Sequence, residues 1–170
     1  MTREVNTVSH NTKTRSVSGL LILLCALAVP AAMAQDVRSV ETKIADILAR
    51  FPASGSSLRD RLADEILGLG DAGLSALTAR LVPAGSGNDT AVRFALNSMA
   101  VRASQFGAEP QRVVAERALI GALAAASDIE VRTFLLGQLQ LVGRDAAARA
   151  AAPYLLHPSL FEPAAQLMVT

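Results

Sequence analysis

The chain has 170 residues, of which 16 are basic and 15 acidic, and only 4% of its residues are aromatic. A net charge this close to zero excludes the long-range attraction that polyanion binding relies on. The scarcity of aromatic side chains argues against surfaces that stack nucleobases or sugars. We therefore expect no nucleic-acid partner.

The N-terminus has the organisation of an export signal. A basic, polar start is followed by an uninterrupted apolar run over residues 19–29, and Pro30 breaks that run. Ala32 and Ala34 then provide the small-x-small site that signal peptidase accepts. Cleavage after Ala34 is predicted, so the exported protein begins at Gln35 and resides in the periplasm or outside the cell.

A membrane anchor and a lipoprotein N-terminus are the two alternative roles for this segment. The apolar run is too short for a membrane anchor, because a spanning helix needs about 20 residues. No membrane attachment is therefore expected after cleavage. Acylation of Cys25 is the alternative, although bulky Leu24 precedes it where a small residue is required. The predicted organisation is a signal peptide over residues 1–34 and one helical domain over residues 35–170, large enough to bury a core without disulfides.

Three helices are predicted in the first half of this domain. Apolar residues recur at steps of three and four from residue 37 to residue 51, as on one face of a helix, and Pro52 ends the segment. A second stripe follows over residues 58–69. Asp71 is then predicted to cap a third helix. Residues 83–87 form a turn-rich connector.

One pattern then occurs twice, 39 residues apart, as Asp-x-x-Val-Arg-x-x-Leu. Each Asp is expected to cap a helix start, and each Arg to pair with that Asp one turn further on. The apolar stripes of the two copies also coincide over residues 92–103 and 131–142. The repeated signature consists of Asp89, Val92, Arg93 and Leu96 in the first copy and Asp128, Val131, Arg132 and Leu135 in the second.

Three further helices complete the prediction. Pro110 opens a long segment between the two copies, an alanine-rich helix follows Gly143, and a short helix starts near Leu160. Helix pairs that are too small to bury their own apolar faces are typical of an α-solenoid. Phe161, Leu167 and Met168 are the candidate association surface, because no later repeat covers the last helix.

Several of these segments resemble HEAT repeats of the irregular kind found in exported bacterial proteins. The resemblance covers roughly residues 58–168 and is carried by residues 69–72, the doubled Asp-x-x-Val-Arg signature and residues 141–146. It implies an all-α fold, a short HEAT-like solenoid of antiparallel helix pairs, whose surface binds another protein. In this family such modules also precede sugar-processing domains. The alternative is therefore the N-terminal, non-catalytic module of a longer exported enzyme.

No catalytic, cofactor or metal site is predicted. His157 is the one histidine after the predicted cleavage site, and it lies in a turn without the second ligand or nucleophile that such sites need. Asp60, Asp64 and Glu65 alternate with arginines as on a solvated face. A third hypothesis, a small hydrolase that works through carboxylates, ranks below the other two, because it needs two acids facing one cleft and the sequence shows none that must do so. The five phenylalanines are expected in the core.

Overall fold

The computed structural model describes residues 39–169, and this part of the chain forms eight α-helices and one 3₁₀ helix. No strand occurs in this range, so the described chain is all-α. Val37, Cys25 and the predicted cleavage site lie outside it. The helices are α1 (39–48), α2 (Ser56–Leu67), α3 (Gly70–Thr78), α4 (Thr90–Ala103), α5 (Glu109–Ala125), α6 (Ile129–Val142), α7 (Asp145–Ala151), the 3₁₀ helix (Ala152–Leu156) and α8 (Phe161–Leu167).

Alternate helices contact one another along the chain. Helices α2, α4, α6 and α8 contact in that order, and α3, α5 and α7 form a second series. Contacts between the series, such as α2 with α3, α4 with α5 and α5 with α6, enclose the core. Ile44 and Ile47 of α1 also belong to this core.

The two predicted repeat stripes both face the core. Leu96 and Leu135, which occupy equivalent positions, are fully buried. Gln138 is the polar exception in the second stripe; it is buried, and its side-chain oxygen accepts a hydrogen bond from the Asn97 amide at 3.1 Å, which offsets the cost of burying that polar group. Phe134 is partly buried against the same core. The predicted apolar faces of α4 and α6 are confirmed.

The predicted cap at Asp71 is wrong. Helix α3 already begins at Gly70, and Leu69 is the residue at its N-cap position. Gly70 has a φ of 68°, a conformation that glycine adopts readily, so the chain turns from α2 into α3 without a separate capping residue. Asp71 instead accepts a hydrogen bond from Arg117 of α5 at 2.6 Å.

The expectation that all five phenylalanines are core residues is also wrong. Phe94 and Phe161 are about half exposed, and Phe106 is fully exposed in the turn between α4 and α5. Phe94 lies between the core positions of α4, on the outer side of the helix. Only Phe51 and Phe134 pack partly against the core.

The acidic residues of α2 are surface residues that join neighbouring helices. Asp64 accepts hydrogen bonds from Arg102 of α4 at 2.8 and 3.2 Å. Glu65 is paired with Arg50, and this contact holds the pKa of the Glu65 carboxyl below its usual range. These carboxylates are therefore engaged by arginines.

Candidate functional site

The first copy of the repeated signature forms the predicted ion pair. Arg93 Nε donates to both carboxylate oxygens of Asp89, at 2.9 and 3.0 Å. Asp89 stands at the N-cap position of α4, but its side chain accepts from the Val82 N–H at 3.1 Å instead of from α4. Its predicted capping bond is therefore wrong. The Asn88 side-chain oxygen accepts from the Thr90 N–H at 3.1 Å, which supplies the local cap.

Arg93 also links the two copies. Its Nη1 and Nη2 atoms donate to the two carboxylate oxygens of Glu130 at the start of α6, both at 2.9 Å. Its guanidinium lies over the Phe134 ring, 4.8 Å from the centroid. Hydrogen bonding to Asp89 in the first place, and to Glu130, raises the pKa of Arg93 despite desolvation. The two copies of the sequence signature are thus joined through one arginine.

The second copy uses the same residue types differently. Asp128 Oδ1 accepts from the Glu130 and Val131 N–H groups, each at 3.0 Å, so its predicted cap is confirmed. Arg132 does not pair with Asp128. Its Nε donates to the Ala126 carbonyl at 2.8 Å, and its guanidinium lies over the Tyr154 ring, 5.6 Å from the centroid. The predicted second ion pair is therefore wrong.

Backbone conformation accounts for this difference. Asp128 has extended dihedrals of −81° and 138°, which bring its carboxylate over the first turn of α6. Asp89 has dihedrals of −108° and 17° instead, and its carboxylate reaches back to the segment before α4. One sequence signature therefore produces two hydrogen-bonding arrangements.

A cleft of about 370 Å³ lies where α3 and α5 end and α6 begins. Leu81, Val131 and Leu135 supply apolar lining, while small residues such as Gly121 and Ala125 leave the opening wide. Asp128 is the one charged side chain among the described residues that line it. The cleft is thus an apolar depression with a carboxylate at one side.

A second cleft of about 360 Å³ lies between α1 and α2. Its charged lining consists of Lys43, Asp46, Arg50 and Glu65. Arg50 is already engaged, because it donates to the Asp46 carbonyl at 3.2 Å and pairs with Glu65. Opposite charges therefore balance one another in this cleft.

The candidate association surface on α8 contains two of its three predicted residues. Phe161 is 55% exposed and Met168 38%, whereas Leu167 is 5% exposed and belongs to the core. Residues 161 and 168 are two turns apart on one face, while residue 167 is rotated from Met168 by about 100° towards the core. The inclusion of Leu167 in the exposed surface is wrong.

His157 lies in the turn before α8, as predicted. Its Nδ1 accepts from the Ser159 N–H at 3.2 Å. In the part of the chain that the structure describes, no group of three or more His, Cys, Asp or Glu residues is placed to hold a metal ion. Within residues 39–169, no helix is both long enough and apolar enough to cross a membrane.

Glu116 is a buried carboxylate that no sequence pattern predicted. Glu116 of α5 accepts from the N–H groups of Arg144 and Ala147, at 2.8 and 3.1 Å. It therefore caps α7 from another helix. No local pattern signals this contact, because the donors lie 28 and 31 residues further along the chain.

Comparison with known proteins adds no assignment. No family model, no curated protein and no solved structure matches the chain.

Proposed function

We propose that this protein is an exported, non-catalytic helical-repeat scaffold that binds another protein. The observation that carries the proposal is the cleft at the ends of α3 and α5. It combines an apolar lining with walls of small residues, so a partner's side chains can approach the backbone closely. Gly121 is the clearest case, since no atom beyond its chain neighbours and the adjoining turns of its own helix backbone lies within 4 Å of the position its Cβ would take.

The proposed architecture is a short HEAT-like solenoid. The alternating contact order of the helices supports it, because stacked helix pairs bring every second helix together. The Arg93–Glu130 pair adds support, since it connects equivalent segments of successive pairs. A solenoid presents one extended face, which suits contact with a macromolecule.

Export is the part of the proposal that rests on the sequence alone. The charged start, apolar run and small-residue site of residues 1–34 support it. Intact-mass measurement of the protein recovered outside the cytoplasm should give a chain that begins at Gln35. A recovered chain that retains residues 1–34, or that carries a lipid on Cys25, would contradict this cleavage.

Site-specific crosslinking tests the binding function. A photoreactive amino acid is placed at Ala125, which is exposed and lines the cleft, and in the cells that make the protein it should yield one discrete protein adduct. The matched control is Gln111, which is exposed on the same helix about 21 Å away. Gly121→Trp, which fills the cleft, should abolish the adduct. Equal adducts from both positions, or an adduct that survives Gly121→Trp, would refute the cleft as the binding site.

A further inference from the structure

Asp128, which lines the cleft, uses only one of its two carboxylate oxygens for hydrogen bonds to the described part of the chain. Both of its capping hydrogen bonds use Oδ1. Within residues 39–169, no hydrogen-bond donor contacts its Oδ2. Asp89, the equivalent residue of the first copy, differs because Arg93 and Val82 engage both of its oxygens.

The arginine that could have neutralised Asp128 points elsewhere. Arg132 stands one turn after Asp128, as Arg93 does after Asp89, yet its Nε donates to the Ala126 carbonyl. The Tyr154 ring lies beneath its guanidinium. Tyr154 is fixed in turn by a hydrogen bond from its hydroxyl to the Leu123 carbonyl, at 3.4 Å. The guanidinium of Arg132 is thus held by aromatic and carbonyl contacts and forms no ion pair with Asp128.

Helix ends add negative potential to the cleft. Thr78, the last residue of α3, and Ala125, the last of α5, both line it, and a helix C-terminus carries about half a negative charge. The positive N-terminus of α6 opposes this effect. However, two N–H groups at that N-terminus already donate hydrogen bonds to Asp128. No basic side chain lines the cleft among the described residues.

We propose that the cleft receives a protein segment bearing a lysine or arginine, whose charged group pairs with Asp128 Oδ2 while its aliphatic part packs on Leu81 and Pro83, the accessible apolar residues of the lining. This inference rests on the proposed protein-binding function and specifies the partner's chemistry. An acidic segment would be repelled, because its charge has the same sign as that of Asp128. An entirely apolar segment would bury Oδ2 without a donor, which is unfavourable.

A peptide selection tests the inference. A randomised peptide library is displayed and selected against the isolated protein, and the recovered peptides are measured against three variants. Asp128→Asn removes the charge and keeps the cap, because Asn and Asp are equally good N-cap residues. Asp145→Asn is the matched control, since Asp145 is an exposed acid in the first turn of α7. Gly121→Trp fills the cleft.

The expected result is an enrichment of lysine or arginine in the peptides that Gly121→Trp no longer binds. Asp128→Asn should weaken their binding by about tenfold or more, as for loss of a hydrogen bond to a charged group, and should reduce its salt dependence. Asp145→Asn should leave binding unchanged. Circular dichroism should show equal helicity for all variants.

The other outcomes separate this inference from the function it rests on. Cleft-dependent peptides without basic residues, or basic peptides that bind Asp128→Asn as tightly as the unaltered protein, would overturn the ionic pairing and leave the binding function standing. A selection that yields no peptide sensitive to Gly121→Trp would count against both.

Discussion

Truncation of the equivalent core leucines, Leu96→Ala and Leu135→Ala, should destabilise the fold to different extents. Each substitution deletes three buried carbon atoms, so loss of apolar transfer alone costs about 2.4 kcal/mol at roughly 0.8 kcal/mol per carbon. Both residues are fully buried, but Leu135 also lies beneath the open cleft. Deletion there enlarges a space that water can enter. Deletion at Leu96 leaves an enclosed cavity, whose cost adds to the transfer loss.

We therefore expect a loss of about 3 to 5 kcal/mol in unfolding free energy for Leu96→Ala and about 2 to 3 kcal/mol for Leu135→Ala. Urea denaturation followed by far-UV circular dichroism measures both values. Leu141→Ala is the control, because Leu141 is 39% exposed on α6, and it should cost about 1 kcal/mol or less. A loss at Leu141 equal to that at Leu135 would show that the assigned core face is wrong. A larger loss at Leu135 than at Leu96 would refute the cavity argument.

Burial acts to raise the pKa of Asp89, but the hydrogen bonds from Arg93 and Val82 outweigh it and hold the pKa below its usual value. Asp89 therefore stabilises the fold above its unfolded pKa of about 3.9, and this contribution disappears as the pH falls through the lower folded value. When unfolding free energy is measured as the pH is lowered, the Asp89→Asn variant should lose less stability than the unaltered protein. Parallel curves for the two proteins would contradict a stabilising role of the ionised Asp89. Gly137→Ala should stabilise α6 by about 0.4 to 1 kcal/mol, because its Cβ would meet no atom within 4 Å beyond its chain neighbours and the nearby backbone of its own helix. Gly143→Ala should instead destabilise the protein, because its Cβ would lie 2.5 Å from the Leu139 carbonyl oxygen. Thermal unfolding compares the two glycine variants, and equal effects would exclude this steric account. Sedimentation at micromolar concentration should show self-association that Phe161→Glu with Met168→Lys reduces; a monomer unaffected by both changes would contradict the α8 surface.

Local patterns in the sequence predicted the helices well, for a physical reason. Apolar spacing of three and four residues follows directly from helical geometry, so the stripes around Leu96 and Leu135 were found without knowledge of their neighbours. Breaks at Pro52 and Gly143 and the cap at Asp128 also depend on residues close in sequence. These features needed no information from distant parts of the chain.

The candidate site depended on contacts that local patterns do not encode. The two Asp-x-x-Val-Arg signatures are alike in sequence, yet Arg93 pairs with Asp89 and Glu130, whereas Arg132 contacts Ala126 and Tyr154. An arginine side chain is long enough to reach several acceptors, and tertiary packing decides which of them lies within reach.

The sequence by itself therefore determined the all-α class and the core-facing sides of α4 and α6, because helical period and chain breaks act between near neighbours. Only the tertiary structure decided that, within residues 39–169, Asp128 accepts hydrogen bonds through Oδ1 alone and that the ends of α3 and α5 meet beside it in a cleft. It also decided that Leu167 is buried while Phe161 is exposed. Each of these outcomes depends on which helix packs against which, and that choice joins residues far apart in the chain.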